Sequence, residues 1–412
     1  MKDFLKATVA VAALAGAAGV AYADCGIEKG SVRILSNDFE ALHVVAAAAE
    51  TCASATVEVT KNQTTEHKNI QVPALTTNPA TYTVAIIATS SIMPLMNADL
   101  IRPLDEYVAR WGQDLQENQL IRVDGRIMAI AFMANAQHLF YREDVLAANG
   151  IAVPTSYEEV LAAAQKLREA GVMQYPLAAA YKPGWDLAAE FVNTYLGTGA
   201  DLFKPGTAEA DIANENGLRV LETMKAMAGY MAPDFVTYDT NAIKPIWEAG
   251  DLAMAISWGS RAGAYIADDS PVPEIARATR FAAPPTIGGG SIPGAALWWD
   301  GFTIARNISD EDAEASFRAM MVGISPQTAQ EHASSAVWLI KGYQPTPAAT
   351  GVADNVAKGA RPYPMVPYMG LLHTAIGENL AEFMQGQESA EQALADATAA
   401  YTTAAKEAGF LQ

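Results

Sequence analysis

The run Tyr82-Thr83-Val84-Ala85-Ile86-Ile87 is the feature that most restricts what this chain can fold into. From Val84 on it has no polar position, so it lacks the in–out alternation of a half-exposed strand and must be covered on both faces. Two strand-like runs precede it: Ser31-Val32-Arg33-Ile34-Leu35, closed by the turn-forming Ser36-Asn37-Asp38, and Thr56-Val57-Glu58-Val59-Thr60. An alanine-rich helical stretch, Ala41–Ala53, lies between those two. Strand, helix, strand order with apolar strands predicts a mostly parallel sheet sandwiched by helices, an α/β architecture. Later helix signals agree. Thr155 as N-cap with Glu158 at N3 forms a capping box that opens a helix running to about Ala170 and stopping at Gly171. Ser309-Asp310-Glu311-Asp312 caps a helix carrying Ala313, Phe317, Met320 and Met321 at helical spacing, and residues 378–408 read as two helices broken near Gly386. No internal repeat and no long linker divides the chain, so two lobes joined by several short crossings are expected.

The N-terminus carries Lys2 and Lys6, an apolar stretch from Ala7 to Val20, and Ala21-Tyr22-Ala23 before Asp24. This pattern predicts a secretory signal peptide, cleaved after Ala23, and a periplasmic protein. The apolar run is shorter than the roughly 20 residues a spanning helix needs. Asp24 stands where a lipoprotein signal has a small residue before cysteine, so a soluble mature chain is expected. Cys25 and Cys52 are the only cysteines. In an oxidising compartment an isolated pair is expected to form a disulfide, with two separate buried thiols as the open alternative. Neither has a second Cys or His at zinc spacing, so no metal and no cofactor are expected. The formal charge of −19 argues against nucleic acid and anionic membrane as partners.

No catalytic constellation stands out. The histidines His43, His67, His138, His332 and His373 are scattered, and the chain has no nucleophile elbow, phosphate loop, zinc-protease motif or calcium loop. Aromatic residues near turns are more informative. Trp185 follows Lys182-Pro183-Gly184, Trp258 follows the strand-like Ala253-Met254-Ala255-Ile256-Ser257, and Trp298 and Trp299 precede Asp300-Gly301. Aromatic faces pack on the C–H faces of sugar rings while Asp, Asn, Arg and Ser bind hydroxyls. Taken singly each tryptophan is explained by core packing. As a group beside Gly, Asp, Arg and Ser they point to a sugar site.

Four segments, in order, resemble family 1 extracellular solute-binding proteins, the group that contains maltose-binding and other sugar-binding components of ABC importers. The first runs from Tyr82 through Leu100-Ile101-Arg102-Pro103-Leu104-Asp105-Glu106-Tyr107. The second is Asp124-Gly125-Arg126-Ile127-Met128-Ala129-Ile130-Ala131-Phe132, continued by Leu139-Phe140-Tyr141-Arg142-Glu143-Asp144-Val145-Leu146, Gly150 and Pro154-Thr155-Ser156-Tyr157-Glu158-Glu159-Val160. Trp247-Glu248-Ala249-Gly250-Asp251-Leu252-Ala253-Met254 leading to Trp258-Gly259-Ser260 is the third, and Gly301-Phe302-Thr303-Ile304-Ala305 with the helix Asp312–Met320 is the fourth. The chain departs from the family pattern at Asn78-Pro79-Ala80-Thr81, where Pro-Asp is usual, and at Arg142, where Asn is common.

The resemblance implies a two-lobed periplasmic binding protein fold with hinge crossings: residues 24–134 plus 296–340 in the N-terminal lobe, and 135–295 plus 341–412 in the C-terminal lobe. It implies hinge closure on a ligand held between the lobes. By position, Asn37, Asp38, His43, Ser90, Ser91, Trp299 and Asp300 would come from the first lobe, and Asn135, Trp185, Trp258, Arg261 and Tyr368 from the second. The implied function is capture of a sugar, oligosaccharide or polyol by a monomeric, non-enzymatic protein that delivers it to ABC permease subunits. Arg261 and Lys182 in so acidic a chain leave open an anionic ligand, a sulfonated or phosphorylated sugar derivative. A secreted glycoside hydrolase, a further alternative, would require two carboxylates flanking a cleft, and a surface adhesion or scaffold protein would bring repeats or Ser/Thr-rich stalks, which the sequence lacks.

Overall fold

The computed structural model describes residues 25–412; the export segment read at residues 1–24 lies outside the described residues. In chain order the strands are β1 Gly30–Ser36, β2 Val57–Gln63, β3 Val84–Ala88, β4 Leu120–Val123, β5 Arg126–Asn135, β6 Gln137–Arg142, β7 Leu177–Ala178, β8 Met254–Trp258, β9 Thr279–Ala282, β10 Ala296–Ile304, β11 Val337–Trp338 and β12 Arg361–Pro362. They form two sheets. The larger has the order β11-β5-β10-β3-β1-β2, with β4 added to β5 and β12 to β10; the smaller has the order β7-β8-β6-β9.

The apolar run after Tyr82 becomes β3, in the middle of the larger sheet between β1 and β10. Its alternate residues feed two different cores. Ile86 joins Ile34, Phe132 and Phe302 beneath the helices Glu40–Glu50 and Asp310–Gly323, while Ala85 and Ile87 join Leu75 and Ile92 on the opposite face. Each fully buried Ile or Phe in these cores contributes about 1.5–3 kcal/mol, which is why an uninterrupted apolar strand is stable only there. The smaller sheet shares its core with the helices Tyr157–Glu169, Trp185–Leu196, Glu215–Ala228, Met369–Asn379 and Ala390–Glu407.

The larger sheet is not mostly parallel. β1 pairs parallel with β2 and β3, but β10 runs antiparallel to both β3 and β5, and β11 and β4 run antiparallel to β5. The reason is connectivity: β10 enters from β9 of the other sheet, so no crossover helix of the first sheet sets its direction. The capping box is displaced by one residue. Ser156 is the N-cap and accepts from the Glu159 amide, while the Glu159 carboxylate reaches back to the Thr155 amide and hydroxyl. Ser309 caps its helix as expected, accepting from the Asp312 amide at 3.0 Å. Cys25 and Cys52 are disulfide-bonded, which fixes the start of the described chain to the end of the helix Glu40–Glu50.

The chain crosses from the larger to the smaller sheet at Ala136, between β5 and β6, returns between β9 and β10, and after β11 passes to helices on the smaller sheet's core, with β12 alone pairing back on β10. A buried polar network joins these crossings. Asn193 accepts at one oxygen from the Ala296 amide and the Trp298 indole N–H, both at 3.1 Å, and donates to Gln137 at 2.7 Å. Gln137 donates to Glu190 at 2.6 Å, and its carbonyl accepts from Asn355 at 2.9 Å.

Candidate functional site

A cavity of about 340 Å³ lies between the two sheets, within the range of small-molecule sites. Its walls are what the sheet topology delivers. Asn37 and Phe39 follow the carboxyl end of β1, Glu66, His67 and Lys68 follow β2, and Ala88 ends β3. Asp300 of β10 is paired directly with Ala88. From the smaller sheet, Trp185 and Asp186 come from the segment after β7, and Trp258, Ser260 and Arg261 from the end of β8 and beyond. A crevice outside the carboxyl ends of parallel strands is where open α/β sheets bind ligands.

Trp185 is held by its backbone. Gly184 takes φ 97°, a left-handed conformation that only glycine adopts without strain, and its amide donates to Gly377 at 3.0 Å. Gly377 must also lack a side chain, because a Cβ there would sit 2.3 Å from the Gly184 carbonyl. That turn starts the helix Trp185–Leu196 with the indole aimed at the cavity. His373 braces it. Its Nε2 lies 3.1 Å from the Trp185 carbonyl, which can only accept, so Nε2 carries the proton and Nδ1 accepts from the Tyr363 hydroxyl at 3.0 Å. Burial pushes the His373 imidazole down to about 3, which keeps it neutral and fixes this tautomer. Trp258, Trp298 and His373 surround the Trp185 ring at centroid distances of 5.9, 5.8 and 5.4 Å.

Charge is the second theme. The Lys68 ammonium stands over the Trp185 ring, and the Arg261 guanidinium stands 4.6 Å from the Phe39 ring. Each is a cation from one sheet's half resting on an aromatic of the other. Asp186 accepts from the Thr240 hydroxyl at 3.2 Å, and Asp300 shares the cavity wall with Asn135, whose side-chain amide donates to the Ser260 hydroxyl at 3.2 Å. Among the described residues none of Lys68, Arg261, Asp186 and Asp300 makes an ion pair within 4 Å, and the Arg261 Nε is buried without a hydrogen-bond partner. Burial dominates their titration. It lowers Lys68 to about 7 against the pull of Asp186 and Asp300, raises Asp300 to about 6 against Lys68, Asn135 and Arg261, and raises Asp186 against Lys68. At the rim Lys182 faces Asp239 at 3.5 Å.

The structure brings Asn37, Asn135, Trp185, Trp258, Arg261 and Asp300 to this cavity, and leaves the other sequence candidates outside its walls. Asp38 and His43 pair with each other at 2.6 Å on the exposed surface. Ser91 is buried and accepts from Gln71 at 3.0 Å, while Ser90 is half-buried on the same helical turn. Tyr368 packs on Phe203 with its hydroxyl on the Thr207 carbonyl. Trp299 points to the far side of β10, against the core of Ile87 and Ile92, and the cavity indole is its neighbour Trp298. Sequence reasoning missed Lys68, His67, Phe39 and Asp186. The only available signal for the first two was a polar stretch, Thr64–Asn69, directly after a strand.

No cluster of three or more His, Cys, Asp or Glu able to hold a metal occurs among the described residues. Residues 46–322 match the family described as bacterial extracellular solute-binding protein. The chain belongs to that family. A curated relative of this solute-binding protein, the "Probable ABC transporter-binding protein" of Deinococcus radiodurans, is 25% identical over 285 residues. That match covers 68% of this chain and 63% of the relative, so it spans less than two thirds of the relative's length. The fold is shared with solved binding proteins. Maltose-bound MalE3 of T. maritima has a TM-score of 0.78 at 18% identity, covering 91% of this chain and 99% of that one. The ABC transporter solute-binding proteins of Agrobacterium radiobacter with ribitol and of Agrobacterium vitis with D-mannitol both score 0.77, at 19% and 18% identity. They cover 92% and 93% of this solute-binding protein and 99% and 100% of their own chains. The expected family and two-lobed α/β fold are therefore both met.

Proposed function

We propose that this solute-binding protein captures a neutral polyhydroxy solute, a sugar, oligosaccharide or polyol, and delivers it to the permease subunits of an ABC importer. The observation that carries this reading is a set of unpaired charges: beside the Lys182–Asp239 pair at the rim, Lys68, Arg261, Asp186 and Asp300 line one cavity, and none of these four makes an ion pair within 4 Å. Asp300 is buried and Lys68, Asp186 and Arg261 are half-buried, and charges so removed from water are costly when left unpaired, so their donors and acceptors are arranged for a partner that supplies both. A chain of hydroxyls does so, each one donating to Asp186 or Asp300 and accepting from Lys68 or Arg261. The lining carries carboxylates at least as numerous as cations, which disfavours the sulfonated or phosphorylated derivative that Arg261 alone would favour. The maltose, ribitol and D-mannitol in the related structures belong to the same chemical class.

The ligand-contacting residues in this reading are Asn37, Lys68, Asn135, Trp185, Asp186, Arg261 and Asp300, with Trp258 packed behind Trp185 and holding it in place. The lobes are residues 24–134 with 296–340 and 135–295 with 341–412, a division supported by the two sheets and the crossing at Ala136. The protein works as an exported periplasmic monomer after cleavage behind Ala23, and it binds without turning its ligand over. Native mass spectrometry of freshly purified protein tests this. A retained neutral polyhydroxy compound at one per chain is expected; a retained sugar phosphate or sulfonate, with binding abolished in Arg261→Gln only for that anion, would establish the anionic reading instead.

A further inference from the structure

The aromatic surfaces of the cleft are already covered. Trp258 and Trp298 are 5% and 4% exposed, too little to stack on a ligand ring. Phe39 is 7% exposed and lies under the Arg261 guanidinium. Only Trp185 keeps substantial area toward the cavity, and the Lys68 ammonium stands over its ring. A pyranose gains much of its affinity from laying a rigid C–H face on such a ring. An extended alditol has no rigid apolar face and binds through its hydroxyls.

Lys68 is not there for its own helix. It lies in the first turn of the helix His67–Thr76, which has no acidic residue in that turn, and a cation at a helix N-terminus opposes the macrodipole. No ion pair or hydrogen bond among the described residues holds it in place. The charged groups facing it are Asp186, from the other sheet's half, and Asp300, from its own, whose charges favour its ammonium form, and Arg261, which disfavours it. Lys68 thus replaces a stacking platform with a hydrogen-bond donor between two carboxylates.

We infer that Lys68 makes the cleft selective for acyclic polyols over pyranose sugars, an inference that rests on the reading of the cleft as a polyhydroxy-solute site. A ring sugar must push the ammonium off Trp185 before it can stack, whereas an alditol accepts from the ammonium where it stands. The cation–π contact then remains in the bound state with the alditol and is lost with the ring.

Titration calorimetry on the full mature protein with matched pairs tests this: D-mannitol with D-mannose, D-glucitol with D-glucose, and ribitol with D-ribose. Each pair has the same carbon chain and differs in the reduction of C1 to an alcohol, which prevents ring closure. The wild type is expected to bind the best alditol at least tenfold tighter than its aldose. Lys68→Met, which bares the indole, should cut that ratio to threefold or less by weakening the alditol and strengthening the aldose. Lys68→Arg, which keeps a cation over the ring, should retain most of it. A wild type that prefers aldoses, or a ratio unchanged in Lys68→Met, overturns the inference and leaves the capture of polyhydroxy solutes standing. Absence of binding by every alditol, aldose and oligosaccharide overturns both. Unchanged circular dichroism and melting temperature of Lys68→Met confirm that the comparison is made on folded protein.

Discussion

Trp298 and Trp299 are adjacent in sequence and face opposite sides of β10, one into the cleft and one into a core. Their aromatic character and their place beside Asp300-Gly301 were legible in the sequence. Their facing was not, because strand parity is set by the pairing of Trp298 with Asn135 and Asp300 with Ala88, contacts between residues far apart in the chain. The same holds for Lys68, which sequence placed in no element and which the fold carries 117 positions away to Trp185. Affinity for the retained solute is accordingly expected to fall at least tenfold in Trp258→Ala and in Arg261→Gln, and to change less than twofold in Trp299→Ala. Calorimetry on the three variants, each checked for a wild-type circular dichroism spectrum, measures this. A large loss in Trp299→Ala alone would put the ligand on the other side of β10.

Elements were easier to read than their directions. β3 and the helix behind Ser309 follow from local pattern, since a continuous apolar run and a Ser–x–x–Asp cap need no distant partner to be recognised. The antiparallel course of β10 has no local signature, and the polar network at the crossings has none either. Glu190 in that network is fully buried, and burial raises its carboxyl from 4.5 to about 8 against the hydrogen bond from Gln137. Between those two values the folded chain holds a proton that the unfolded chain has released. The stability linked to it is complete below about pH 4.5 and is lost as pH rises through 8, at up to about 1.4 kcal/mol per pH unit. Glu190→Gln, a permanently neutral isostere, should escape this loss. Its melting temperature relative to wild type is expected to rise steadily between pH 5 and pH 8, and a difference independent of pH would show that Glu190 is ionised in the fold. The disulfide acts at the same scale. It closes a span of 27 residues, so replacing both cysteines by alanine should cost roughly 3 kcal/mol in denaturant unfolding with solute affinity unchanged.

For the whole molecule, the two sheets and the three crossings describe a hinge with a charged, aromatic cleft at its centre. On the proposed function the solute adds contacts to both lobes and so favours the closed state, and binding should compact the protein and protect it against heat together. Small-angle scattering is expected to show a smaller radius of gyration with saturating solute than without it, and an unchanged radius would mean capture without closure. Unpaired cations and carboxylates in one cavity suit a neutral chain of hydroxyls. A thermal-shift titration of the mature protein against separate pools of neutral sugars and alditols, and of aldonates and sugar phosphates, tests that match most directly. At a hundredfold excess over Kd a true ligand adds about 2.7 kcal/mol of stability, so a rise of several degrees with the neutral pool and none with the anionic pool is predicted. A rise with the anionic pool alone would contradict it.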